Sequence, residues 1–157
     1  MINENNENNE NNENIKAIEK WDEIEDLKEN LLRGIYAYGF ENPSPIQKKA
    51  ILPMLSGNDV VAQAQSGTGK TGAFSVSTLQ IINLEENKSQ ALIMAPTREL
   101  ATQISGVIEH IGSHFDNLRV QLLVGGTSID EDVYNLRHNT PHIVVGCPGR
   151  VHDMMKR

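Results

Sequence analysis

The spacing of apolar and polar residues changes character twice along the 157-residue chain. Positions 3–14 repeat Glu-Asn-Asn with a period of three and hold nothing apolar to bury, which predicts a disordered tail over residues 1–18. After Trp21, apolar residues recur at helical steps (Leu27, Leu31, Leu32, Ile35, Tyr38), so an amphipathic helix is expected, with Gly39 as its stop. Ser44-Pro45-Ile46-Gln47 then sets out an N-cap, a proline at the first helical position and a Gln at the capping-box position. That second helix is expected to run to about Leu52 and to be ended by Pro53. From Asp59 the pattern becomes short apolar runs separated by helical stretches, the signature of a parallel sheet with crossover helices. Strands are predicted at Val60 to Gln63, Ala91 to Ala95, Val120 to Val124 and His142 to Val145. Helices are predicted between them at Lys70 to Asn83, Glu99 to His114 and Ser128 to Arg137. The fold class is α/β.

Composition narrows the reading. With 38% apolar residues and no apolar run of membrane-spanning length, the chain can build one core and offers no transmembrane helix. The first residues resemble neither a secretory signal nor an Arg-rich transit peptide, which predicts a cytosolic or nuclear location. Cys147 is the single cysteine, so no intrachain disulfide and no thiolate-rich metal site can form, and the five histidines are read as surface or core residues. A net charge of −7 would argue against a phosphate-rich partner, but residues 1–30 carry it all, with ten acidic residues against three lysines. The remaining 127 residues are neutral and leave room for a local phosphate-binding surface.

The sharpest chemical signal follows the first predicted strand. Ala64-Gln65-Ser66-Gly67-Thr68-Gly69-Lys70-Thr71 matches the phosphate loop GxxxxGK[ST], apart from Ala64 at the first glycine. Gly67 and Gly69 let the backbone curl so that successive amides face one anion, and the following helix adds its positive end. Lys70 supplies a mobile charge for the β and γ phosphates, and Thr71 supplies a hydroxyl ligand for Mg²⁺. The motif predicts nucleotide binding without naming the base.

Further motifs carry a resemblance. Trp21, then Gly39-Phe40-Glu41-Asn42-Pro43-Ser44-Pro45-Ile46-Gln47, resembles the Q motif of DEAD-box RNA helicases, and the phosphate loop resembles their motif I. Pro96-Thr97-Arg98-Glu99-Leu100 is similar to motif Ia and Gly125-Gly126 to the GG element. Cys147-Pro148-Gly149-Arg150 is similar to motif Ib, with Cys where Thr is usual. Within the family, the segments from Leu31 to Phe40 and from Ala62 to Gln65 most resemble the eukaryotic initiation factor 4A branch, with the nuclear exon-junction paralogue close by.

The resemblance implies an incomplete RecA-like P-loop domain, its parallel sheet covered by helices on both faces. It divides the chain into a tail (1–18), a Q-motif segment (19–47) and a partial ATP-binding domain (48–157). On spacing alone Gln47 reads better as a helix cap. The resemblance makes it the adenine reader, whose amide can match the N6 and N7 edge, with Phe40 stacking on the base. It also implies that Pro96, Thr97, Arg98, Gly125, Gly126, Pro148, Gly149 and Arg150 hold single-stranded RNA by its backbone, without reading sequence. Trp21 is expected to pack the N-terminal segment onto the domain.

The implied activity is ATP- and Mg²⁺-dependent RNA unwinding or remodelling in translation initiation, in the cytoplasm and beside a protein scaffold of that process. The family's Asp-Glu-Ala-Asp motif does not occur in these residues, nor does a second RecA-like domain. The chain by itself is therefore expected to lack turnover and to expose core surface. The alternative is a non-catalytic module that binds ATP or RNA as scaffold or decoy. A GTPase is disfavoured, since no Asn-Lys-x-Asp guanine reader occurs.

Overall fold

The computed structural model describes residues 17–157 together with the backbone of Ile2–Asn3. Of the predicted tail, residues 1 and 4–16 lie outside the described residues. The chain divides into two compact units, Met1–Ile81 and Ile82–Arg157.

In the first unit, a 3-10 turn at Trp21–Glu23 leads to α1 (Glu29–Ala37), α2 (Pro45–Leu55), the short strand β2 (Ala62–Gln63) and α3 (Lys70–Ile81). Leu31 and Ile35 of α1, Ile46, Ala50 and Ile51 of α2, and Ala73, Val76 and Leu79 of α3 are all buried. Helix α3 packs against both of the others. Gly39 ends the first helical segment with φ +93°, a backbone state open to glycine without strain. Pro53 does not end α2 as expected: it lies inside the helix, whose last turn closes with Ser56 N–H donating to Leu52 O at 2.9 Å. A proline this near the C-terminus removes one ladder bond, while residues beyond it still supply donors. Lys28 fastens α1 to α3, its backbone N–H donating to Gln80 Oε1 (3.0 Å) and its Nζ to Leu79 O (3.1 Å), and burial lowers its pKa.

Strand β2 is shorter than the sequence predicts. Val60 and Val61 stay outside it, Val61 being exposed, and β2 pairs in parallel with β1 (Ile2–Asn3). Ile18 is buried, its N–H donates to Lys48 O at 3.1 Å, and Glu19 pairs with Lys48.

The second unit holds a three-stranded parallel sheet in the order β3-β5-β4, made of β3 (Ala91–Met94), β5 (Ile143–Gly146) and β4 (Val120–Leu123). Three helices complete it: α4 (Arg98–Ile111), α5 (Ile129–His138) and α6 (Pro148–Met155). Register alternation sends Val144 and Leu123 to one face, where they pack with Val151 and Met154 of α6 and Val133 and Leu136 of α5. Ile143 and Val145 point to the other face, where α4 lies across β4 and β5 with Ala101, Ile104, Ile108 and Ile111 buried. The central strand is buried along its whole length, as expected of a parallel strand covered on both faces. On the outer strand β3, Leu92 and Met94 are each 52% exposed beside an apolar groove of about 340 Å³. Among the described residues, no helix is long and apolar enough to cross a membrane.

Candidate functional site

The predicted phosphate loop joins β2 to α3, the strand-loop-helix order its chemistry requires. Gly67 and Gly69 have φ of +82° and +104°, so both take up the freedom that only glycine has cheaply. Lys70 opens α3, and its ammonium lies back over the loop, donating to the carbonyls of Ala64 and Gln65, each at 2.5 Å. Thr68 Oγ1 donates to Gln65 O at 2.8 Å and tightens the same curl. Gln65, Ser66 and Gly67 are exposed, while Ala64, Lys70 and Thr71 are half-buried. Positive charge, a curled backbone and a helix start thus share one place, the arrangement that suits a phosphate chain.

The Q-motif residues stand directly against this loop. Gln47 is 2% exposed and bonded at both ends of its amide. Its Oε1 accepts from Ser44 N–H at 2.8 Å, the returning half of a capping box, and its Nε2 donates to Gly69 O at 3.1 Å. The capping role read from spacing is therefore present, joined to a contact with the loop that spacing did not suggest. Phe40 stacks near-parallel on Trp21, with ring centroids 6.4 Å apart, and meets the edge of Tyr38 at 4.8 Å. Trp21 is fully buried and its Nε1 donates to Phe40 O at 2.9 Å, fixing the turn that presents the ring.

Sequence reasoning missed Gly72. A Cβ there would lie 2.5 Å from Gln47 Nε2 and 2.7 Å from Phe40 Cε2, so its missing side chain is what lets the Q motif reach α3. The signal was an unexplained glycine in the first turns of a helix.

In the second unit, a groove of about 580 Å³ gathers the ends of three strands. Its walls are Pro96, Thr97 and Arg98 after β3, Gly125 after β4, and Cys147, Gly149, Arg150 and Asp153 after β5. Gly126 and Pro148, also predicted, follow directly on lining residues and are exposed. Thr97 caps α4, its Oγ1 accepting from Leu100 N–H at 3.2 Å, which leaves its hydroxyl hydrogen for a ligand. Arg98 is exposed and its guanidinium covers Gly126, where a Cβ would lie 2.8 Å from Nη1.

Arg150, expected among the RNA-holding residues, has its guanidinium engaged within the protein. Its side chain is 8% exposed and forms an ion pair with Asp132 at 2.8 Å. Asp132 also accepts from Gln121 Nε2 at 3.1 Å. Cys147 stands at the N-cap of α6 without a side-chain capping bond. His142, just before β5, is fully buried, and burial together with the neighbouring Arg119 charge lowers its pKa.

Comparison with known proteins agrees with this geometry. Residues 44–157 match the family profile described as DEAD/DEAH box helicase. The chain is 55% identical over 141 residues to the ATP-dependent RNA helicase eIF4A of Pyricularia oryzae, covering 90% of this chain and 35% of that protein. It is 55% identical over 143 residues to the enzyme of the same name from Emericella nidulans, covering 87% of this chain and 35% of that protein. It thus spans about a third of the length of these relatives. Among solved structures, a DEAD box protein from the hyperthermophile Methanococcus jannaschii superposes with a TM-score of 0.82 at 37% identity, over 90% of this chain and 38% of that one. Dbp5 of S. cerevisiae, solved bound to RNA and ADP BeF3, superposes with a TM-score of 0.75 at 39% identity, over 89% of this chain and 34% of that one. The fold is RecA-like, and the chain belongs to the DEAD/DEAH box helicase family.

Proposed function

We propose that these residues form the adenine- and phosphate-binding part of an ATP-dependent RNA helicase, with an RNA-holding groove in the second unit. The observation that carries the reading is the seating of Gln47 against the phosphate loop through Gly69 O, which joins a base-reading amide to a phosphate cradle. A Gln amide has two hydrogens and two oxygen lone pairs. The two protein bonds of Gln47 use one of each, and the remaining donor and acceptor match the N6 and N7 edge of adenine but not the O6 and N7 edge of guanine.

ATP, when bound, supplies the phosphate chain, and Mg²⁺ supplies charge that draws its oxygens together. Gly67, Gly69, Lys70 and the amides at the start of α3 would hold the phosphates, Thr71 would offer its hydroxyl to the metal, and Phe40 would lie against the base. Thr97, Arg98, Gly126 and Gly149 suit the RNA backbone: a hydroxyl, a guanidinium fork and two points of close backbone approach, none of which reads a base. The RNA in the similar Dbp5 structure supports this assignment. The name eIF4A carried by the relatives supports a place in translation initiation, and we extend that reading to the cytoplasm and a protein scaffold. Assayed alone, these 157 residues bind ATP without turnover, because they hold no Asp-Glu-Ala-Asp to fix the metal and the attacking water.

Titration of ATP and GTP against the chain and its Gln47→Ala variant tests the proposal. ATP is expected to bind more tightly than GTP, and the substitution to erase the difference. Equal affinity for both nucleotides in the parent chain would refute the adenine reading.

A further inference from the structure

Arg150 is among the residues that line the groove, but its guanidinium is engaged within the protein. Nη1 holds Asp132 Oδ2 at 2.8 Å and Nη2 donates to Thr127 O at 2.8 Å. Gln121 Nε2 binds the other carboxylate oxygen at 3.1 Å, and Thr127 Oγ1 lies 3.3 Å from Oδ2. With side-chain exposures of 8% for Arg150 and 5% for Asp132, the pair is a buried one joining β4, the loop after it, α5 and α6. A phosphate recruiting Arg150 would have to strip it from a carboxylate that water cannot reach, leaving a buried charge unpaired, which is strongly unfavourable.

We propose that Arg150 is an internal strut and that Asp132, outside the groove, is the positioning residue that holds it. The proposal rests on the reading of the groove as an RNA site. Bound to Thr127 O, Arg150 fixes the loop whose Gly126 turns at φ +91°. The Arg98 guanidinium lies over that glycine, so the loop sets where Arg98 meets a phosphate. Asp132 therefore acts on RNA through Arg150, Thr127 and Arg98 in turn, without touching it.

The test is Asp132→Asn in the whole chain, read by fluorescence anisotropy with a labelled polyuridine oligonucleotide. A strut predicts binding weakened about tenfold, the size of one lost well-placed contact. If Arg150 instead met phosphate directly and Asp132 only competed for it, removing the acid would tighten binding, and that result overturns the proposal. Arg150→Lys keeps the charge but cannot fork to both acceptors, and it is the milder variant should Asp132→Asn fold poorly. It is expected to bind RNA as weakly as Arg150→Gln, whereas near-parental affinity overturns the strut. Amide hydrogen exchange over residues 124–128 separates this idea from the RNA reading. If the parent chain does not bind the oligonucleotide, the RNA assignment fails, while faster exchange in Asp132→Asn still supports the strut and unchanged exchange overturns it.

Discussion

Gly72→Ala tests the contact between the Q motif and the phosphate loop most directly, because two known effects pull in opposite directions. Alanine is the better helix former by about 1 kcal/mol, so at an open helical site the change stabilises. At Gly72 the new methyl lands 2.5 Å from Gln47 Nε2 and 2.7 Å from Phe40 Cε2. Neither neighbour yields easily. Gln47 is bonded at both ends, and Phe40 is held by Trp21 on its face and by Tyr38 at its edge. Overpacking of this kind costs about 1–3 kcal/mol, and losing the Gln47 to Gly69 bond adds about 1 kcal/mol. After subtracting the propensity gain, the net destabilisation is about 1–3 kcal/mol, a fall in melting midpoint on the order of 2–12 °C. Gly106 in α4 is the control: a Cβ there meets nothing within 4 Å, so Gly106→Ala should gain up to about 1 kcal/mol. Thermal unfolding by far-UV circular dichroism reads both variants. If Gly72→Ala melts at or above the parent, as Gly106→Ala should, the space around Gly72 is not tightly packed.

Three further outcomes are expected. Folding holds His142 neutral, with its pKa below the ordinary 6.5, so the unfolded chain binds more protons near that value; stability is complete above about pH 6.5 and falls as pH drops below it. Urea midpoints across that range check this, and a midpoint that rises on acidification contradicts it. Lys70→Ala should weaken ATP binding by at least about tenfold through loss of a charge-assisted phosphate contact, measured by calorimetry, and unchanged affinity would remove Lys70 from the site. Cys147→Ser should raise stability by about 1 kcal/mol, because α6 starts without a side-chain cap and serine provides one; an unaltered urea midpoint would show that the geometry there cannot use it.

Parts of this molecule were legible in its sequence because their determinants are local. Lys70 opens a helix after a strand and two glycines, and the three strands of the second sheet lie within one or two residues of their expected ends. Pro53 misled because proline penalises the turn before it, and that turn belonged to a helix already almost finished. Asp132 was invisible for another reason. Asp130, Glu131 and Asp132 look alike at the start of α5, all suited to the positive end of a helix, and only the fold selects Asp132 to meet Arg150. The second bond of Gln47 was hidden in the same way, since its partner lies 22 residues away. Spacing can announce a cap, but it cannot announce what the cap also touches.

Trp21 gives the protein an optical channel of its own. It is the single tryptophan of the chain, fully buried, hydrogen-bonded through its indole nitrogen and stacked on Phe40. Emission excited selectively from the indole therefore reports the first unit alone, while far-UV dichroism sums over both. Coincident denaturation curves from the two signals would mean that the units melt together, and separated curves would yield each unit's stability without any label. On the proposed stacking of a base against Phe40, the same emission is expected to change with nucleotide and to follow binding in real time.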